Sequence, residues 1–156
     1  MTGSGAPAVE VDGSDLTVGI VAASWHAAVM EGLISGAERA LKRSHVADIQ
    51  MLRVPGAFEL PLGALQLLAS CDAVVALGVV IRGGTPHFEY VCSAATNGLL
   101  RVSLDLGRPV GFGVLTCDDE AQALDRAGLP GSSEDKGSEA ADAAVSLALS
   151  LRRLTS

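Results

Sequence analysis

Ala73-Val74-Val75-Ala76-Leu77-Gly78-Val79-Val80-Ile81-Arg82-Gly83-Gly84-Thr85-Pro86-His87 decides the fold of this chain. Ala73 to Ile81 is an unbroken apolar run of strand length, too short to cross a membrane. A strand apolar on both faces belongs inside a sheet that is covered on both sides, which is the parallel α/β arrangement. Arg82 to Pro86 then reads as a loop. Thr85 suits a helix N-cap and Pro86 the first helical position. Beyond them Phe88, Val91, Cys92, Ala95 and Leu99 recur at helical spacing, which predicts a helix to about Arg101. Strand, glycine loop and helix in this order are half of a βαβ unit.

The same cycle extends in both directions. Upstream, Leu16 to Ala22 is a short apolar strand that stops at Ser24-Trp25-His26. A helix follows to about Ser44, with Val29, Met30, Leu33, Ile34, Ala37 and Leu41 on one face and Lys42 and Arg43 in its last turn, where they suit the dipole. Asp48 to Val54 is a second strand, Pro55 to Phe58 a turn, and Glu59 to Ala69 a helix. Downstream, Val110 to Leu115 is a fourth strand, Glu120 to Ala127 a short helix and Gly128 to Glu134 a loop. The last helix runs from about Asp135 to Leu154. Four alternations predict an α/β fold, a three-layer α/β/α sandwich on a four-stranded parallel sheet of the flavodoxin-like kind. Residues 16–156 form one domain; residues 1–15, rich in Gly, Ser, Pro and Asp, read as an extended, mobile N-terminal tail.

Composition narrows the function classes. The chain has 156 residues, of which 49% are hydrophobic and 19% charged, enough for one core and unlike a disordered chain. A net charge of −7 and the lack of a basic patch exclude a nucleic-acid partner, so an anionic ligand needs a local site working against the overall field. Cys71, Cys92 and Cys117 are scattered and odd in number, which predicts neither a disulfide nor a zinc site. The first fifteen residues have no basic start or apolar run. The expectation is a cytoplasmic protein with no membrane partner and no metal.

In open α/β sheets a ligand sits at the carboxyl ends of the strands. Four loops therefore hold the candidates. In Arg82–His87 the two glycines let backbone amides approach a ligand, and the helix that starts there offers unpaired N–H groups and a positive dipole end, so Gly84 and Thr85 form a candidate phosphate site. The loop reads equally as a capped helix after a flexible turn. His87, in the first helical turn, could move protons beside a bound anion, or is simply a solvated histidine. Trp25, the single tryptophan, could stack on a flat heterocycle or pack its loop down. Glu59 could accept hydrogen bonds from sugar-like hydroxyls, though a carboxylate is favoured at a helix start in any case. Arg126 lies at the end of a short helix, where a cation is expected. Lys136 lies at the start of the next, against the dipole preference. Together these suggest a site for a flat polar ring and a phosphate with a histidine between them.

Several ordered blocks carry a family resemblance. Val54-Pro55-Gly56-Ala57-Phe58-Glu59-Leu60-Pro61 resembles the VPGAFEIP segment of lumazine synthases, and Ala76 to Val91 resembles that family's central block with its G-x-V-I-R-G-x-T-x-H core. Gly113-Val114-Leu115-Thr116, Ala123 to Gly128 and Lys136-Gly137 follow in the family order, and the likeness covers roughly Leu16 to Leu154. The resemblance implies an enzyme without a cofactor. It condenses 5-amino-6-ribitylaminouracil with 3,4-dihydroxy-2-butanone 4-phosphate to 6,7-dimethyl-8-ribityllumazine, phosphate and water, in riboflavin biosynthesis. It further implies that Trp25 and His26 meet the pyrimidine, with Trp25 stacked on its ring. Ala57, Phe58 and Glu59 would bind the same substrate, and the backbone of Val79, Val80 and Ile81 would read its ring edge. Gly84, Thr85 and Arg126 would take the phosphate, and His87 would transfer protons. Phe112, Arg126 and Lys136 would come from a neighbouring subunit of a homo-oligomer.

Two departures from that pattern stand out. Many members have Phe-Asn where this chain has Trp25-His26. Members that form sixty-subunit capsids carry a short G-x-K-x-G-N segment between the last two helices, where this chain has the longer Gly128 to Asp135 with Pro130. A proline there should alter the angle between the helices, which predicts a free pentamer in place of a capsid. The competing readings are a flavin- or lumazine-binding homologue without strong catalysis, and an unrelated monomeric domain that binds an anionic ligand.

Overall fold

A computed structural model describes residues 11–156. Its elements are β1 (Thr17–Ala23), α1 (Ala27–Arg43), β2 (Asp48–Val54), a 3₁₀ turn over Ala57–Glu59, α2 (Leu60–Leu67), β3 (Ala73–Ile81), α3 (His87–Leu106), β4 (Val110–Cys117), α4 (Glu120–Asp125) and α5 (Lys136–Thr155). The four strands form one sheet in the order β2-β1-β3-β4, parallel throughout. The expected α/β sandwich is therefore the observed architecture. Residues 1–10 of the expected tail lie outside the described part. Residues 11–15 are tied to the domain: the Gly13 amide donates to the Ser44 carbonyl at 2.6 Å, and the Leu16 amide to Gly13 at 3.0 Å.

Burial explains why β3 is central. Ala73 through Val80 are all buried, as a strand must be when helices cover both faces. Leu33, Leu41, Val75, Leu77 and Val145 share one core between the sheet and α1 and α5. Leu60, Ala64, Leu68, Val74 and Leu99 share the other, beneath α2 and α3. Both cores are aliphatic. Trp25, Phe58, Tyr90 and Phe112 are exposed, and Phe88 is only partly buried.

On one face α1 and α5 cross at close range because glycines line the crossing. A methyl group at Gly137 of α5 would stand 2.1 Å from the Leu33 carbonyl oxygen of α1, and one at Gly32 of α1 would stand 2.4 Å from the Ala127 carbonyl oxygen in the segment that leads to α5. The second core is thinner on its outer side. α3 has twenty residues, yet only Ala95 and Leu99 are fully buried, and Tyr90, Leu100 and Leu104 face outward.

Element ends differ from the sequence reading in places. α3 runs on to Leu106 and closes at Gly107 with φ 64°. The apolar rhythm fades after Leu99 because the later leucines are exposed, and the glycine that can adopt positive φ is the true stop. Pro86 immediately precedes α3 instead of opening it, and the Thr85 hydroxyl accepts from the His87 amide at 3.4 Å. Ala57–Glu59 form a 3₁₀ turn, so α2 starts at Leu60 rather than Glu59. β4 continues two residues past Leu115 to Cys117, paired with β3 as far as Ile81↔Cys117.

Candidate active site

The strand order reverses direction between β1 and β3, the switch point where an open α/β sheet leaves a crevice. A cleft of about 690 Å³ lies there, lined by Trp25 and His26 after β1, by Gly56 to Glu59 after β2, and by Val79 to Ile81, His87 and Val91 along β3 and α3. Register explains its floor. β1 pairs with β3 only as far as Ala22↔Leu77, whereas β4 pairs with β3 to its end. Over Gly78–Ile81 the edge of β3 turned toward β1 therefore has no ladder partner. Backbone N–H and C=O groups on such an edge can read the rim of a planar ligand.

Trp25 and Glu59 stand on either side of Gly56. A methyl group placed on Gly56 would lie 3.4 Å from Cδ1 of Trp25 and 3.5 Å from Oε1 of Glu59. Glu59 Oε1 accepts from the Gly56 amide at 2.9 Å, which fixes the turn. A carboxylate has further lone pairs, so the same group can still accept from a hydroxyl. Trp25 is 68% exposed and Phe58 64%, two aromatic surfaces turned to the open cleft and not to the core.

His26 has φ 61° and ψ 68°, the left-handed region, directly before α1. Asn, Asp and His are the residues that tolerate this conformation best. The Asn-to-His departure noted in the sequence therefore keeps the backbone geometry while changing the side chain in the cleft. The Ser24 hydroxyl donates to the Val54 carbonyl at 2.8 Å and holds the β1 loop against β2.

The glycine loop is clamped at its base and open at its tip. The Arg82 amide donates to Cys117 O at 2.9 Å. Its guanidinium pairs with Asp118 at 3.0 Å, approaches Glu89 at 3.8 Å and lies 4.5 Å over the Phe88 ring. Gly83 and Gly84 have no heavy atom within 4 Å of an added Cβ. The first amides of α3 follow immediately, and helix starts of this kind suit an anion. Gly84 and Thr85 do not themselves line the cleft.

Phe112, Arg126 and Lys136 stand apart from it. Phe112 is exposed on the edge strand β4. Arg126 ends α4, and its Nη1 donates to Gln122 O at 2.9 Å. Lys136 pairs with Glu134 at 3.2 Å and Glu139 at 3.4 Å, so two carboxylates offset its unfavourable place at a helix start. Gly56 and Val91 line the cleft without having been singled out from the sequence. Gly56 carried a signal, since a turn glycine beside an aromatic loop permits close approach; Val91 read only as helix core. Burial pushes the Cys71, Cys92 and Cys117 thiols up from their ordinary value, so none is an activated nucleophile. Among the described residues no group of three or more His, Cys, Asp or Glu could hold a metal ion, and no helix is long and apolar enough to cross a membrane.

A switch-point crevice lined by two exposed aromatics, a carboxylate and the histidine that opens α3 is the geometry of a small-molecule site in an open α/β domain. Comparison with known proteins makes this specific. The 6,7-dimethyl-8-ribityllumazine synthase family matches residues 15–152. The chain is 64% identical over 156 residues to the 6,7-dimethyl-8-ribityllumazine synthase of a Nocardioides species, covering 99% of this chain and 97% of that one. It is 62% identical over 153 residues to the enzyme of that name from Kineococcus radiotolerans, covering 97% and 95%. It is also 62% identical over 157 residues to the one from Leifsonia xyli subsp. xyli, covering 99% of each. The chain belongs to the 6,7-dimethyl-8-ribityllumazine synthase family and is a transferase of riboflavin biosynthesis.

Proposed function

We propose that the β1–β3 cleft binds 5-amino-6-ribitylaminouracil and condenses it with 3,4-dihydroxy-2-butanone 4-phosphate, releasing phosphate and water. The observation that carries this reading is the unpaired edge of β3 beside the exposed Trp25. It offers a stacking face and a hydrogen-bonding rim for one flat heterocycle. Trp25 stacks on the ring, and Val79, Val80 and Ile81 bond its edge through their backbone. His26, Ala57 and Phe58 close the sides, and Glu59 takes ribityl hydroxyls. The butanone phosphate enters over Gly84 and Thr85, with its phosphate at the start of α3.

Catalysis is then mostly positioning: an amine held against a ketone gains a large effective molarity. His87 lines the cleft and, on this reading, stands between the two ligands and serves the proton transfers of imine formation and phosphate elimination. Because His87 is exposed, water can partly replace it, so His87→Ala should lower kcat by about ten- to a hundredfold, at the low end of general acid–base effects. The test follows lumazine absorbance and released phosphate together, from both purified substrates. Matched product and phosphate above the spontaneous reaction supports the site; a His87→Ala rate equal to wild type removes His87 from the mechanism.

The assembly is a homo-oligomer whose subunits complete each other's sites through Phe112, Arg126 and Lys136. Two observations favour this. Those three residues lie away from the cleft of their own chain, and Tyr90, Leu100, Leu104 and Phe112 leave apolar surface in need of a partner. The 128–135 loop is braced by internal hydrogen bonds. The Leu129 amide donates to Ser132 Oγ at 3.0 Å and Ser133 Oγ to Asp125 at 2.6 Å, and Pro130 within the loop is expected to set an angle between α4 and α5 unlike that of a capsid-forming subunit. A free pentamer is expected, read as five subunit masses by light scattering; a megadalton shell would overturn it. The setting is the cytoplasm, in keeping with three free cysteines.

A further inference from the structure

The loop before α5 holds a charge arrangement that the reaction as described above does not use. Ala127 and Asp135 form an antiparallel bridge. In such a pairing successive side chains alternate between faces. Ala127 and Asp135 face α1: Ala127 is fully buried, while Asp135 accepts from Arg39 of α1 at 2.9 Å and caps α5 through the Ser138 amide at 3.2 Å. Arg126, Glu134 and Lys136 are thereby gathered on the opposite side. Glu134 stands between the two cations, with Oε2 3.5 Å from Arg126 Nε and Oε1 3.2 Å from Lys136 Nζ. Its side chain is only 16% exposed.

The backbone of Glu134 is pinned on both sides. Its amide donates to Asp125 O at 3.1 Å, and its carbonyl accepts from the Gly128 amide at 2.9 Å. The neighbouring Ser133 donates to both oxygens of Asp125, at 2.6 Å through its hydroxyl and 3.0 Å through its amide. The same contacts hold the Asp125 carboxyl below its usual range, the hydroxyl bond first and the amide second.

We propose that Glu134 is a fixed counter-charge that orients Arg126 and Lys136 while weakening their hold on phosphate, so that the phosphate released in the reaction can leave. This rests on the reading that Arg126 and Lys136 face the phosphate of a neighbouring subunit's site. Glu134 pairs with both cations, Glu139 pairs with Lys136, and the Asp125 carboxylate lies near enough to interact with Arg126, so the two cations are already met by carboxylates before any ligand arrives. A dianionic phosphate approaching the cluster is attracted to the cations and repelled by Glu134. Glu134→Gln preserves shape and one acceptor oxygen and removes only the charge. At the effective dielectric of a half-buried site, one unit charge several ångströms from a dianion is worth at least about tenfold in affinity.

The test uses the assembled enzyme and inorganic phosphate. Phosphate is titrated calorimetrically and as a competitor of butanone phosphate, in wild type, Glu134→Gln, Glu134→Asp and Arg126→Ala. Glu134→Gln should bind phosphate about tenfold more tightly, with a lower KM for butanone phosphate and a lower kcat as release slows. The gap from wild type should narrow as KCl is raised. Glu134→Asp, which keeps the charge, should stay near wild type. Phosphate binding by Glu134→Gln that is equal to or weaker than wild type, alongside weaker binding by Arg126→Ala, overturns the counter-charge role while the phosphate site stands. No effect of Arg126→Ala on phosphate overturns the site assignment and this inference with it.

Discussion

Arg126→Ala should reduce kcat/KM by about a hundredfold to a thousandfold, the loss expected when a preorganised donor to developing charge is removed. The expectation follows from geometry and from the reaction class. A guanidinium carries five N–H donors. In Arg126 one is committed to the Gln122 carbonyl and Nε is turned toward Glu134, so the group is oriented before any ligand arrives. On the proposed reading, elimination of phosphate places growing negative charge on the leaving oxygens, which an oriented guanidinium would meet without reorganisation. Arg126→Lys should recover only part of the loss, because a single ammonium cannot replace a planar fork. The measurement is steady-state formation of lumazine with the spontaneous rate subtracted. A loss smaller than about threefold would show that the charge is met elsewhere, since an oxyanion donor is worth far more than that.

Gly137→Ala should destabilise the subunit by about 3 kcal/mol, and Gly137→Val by more, the upper range for overpacking in a rigid core. The added Cβ at Gly137 would lie 2.1 Å from the Leu33 carbonyl oxygen, with Leu33 C and Cα at 2.9 and 3.0 Å. These are backbone atoms of α1 and cannot rotate away. The gain of about 1 kcal/mol from replacing glycine inside a helix is too small to offset the clash. Relief requires α5 to move off α1, which pulls Lys136 and the 128–135 loop with it. Denaturant midpoints at fixed protein concentration provide the check, because oligomerisation adds a concentration-dependent term. An unchanged midpoint would mean that the crossing is looser than its distances state.

The two expectations differ in how far the sequence foretold them. β3 was legible end to end, since nine apolar residues without a charge have one stable place in an α/β sandwich. The helix faces of α1 and α5 were legible for the same reason, through their spacing. The close crossing at Gly137 was not: glycine in a helix reads as a weak point until the neighbouring backbone is in view. Trp25, Glu59 and His87 were readable as a group because each lies in or immediately after the segment that joins a strand's carboxyl end to the next helix, where loops converge by topology. The left-handed His26 left only a faint trace, the adjacency of a strand end and a helix start. Glu134 left none. Its position between two cations depends on an antiparallel bridge formed by two irregular segments, and no periodicity announces a single bridge. Lys136 illustrates the converse. It drew notice as a cation at a helix start, and two nearby carboxylates account for its placement in physical terms.

The separation of aromatic rings from the aliphatic core has an optical consequence. The single indole, Trp25, stands in the cleft with most of its surface in solvent. Its near-ultraviolet emission is therefore governed by what occupies the cleft, and a flat heterocycle stacked on it will quench it. Packing of the leucines and valines beneath α1 and α5 sends no such signal. The chain thus carries an intrinsic gauge of site occupancy that is nearly blind to its own core, whose melting has to be followed through the backbone by circular dichroism.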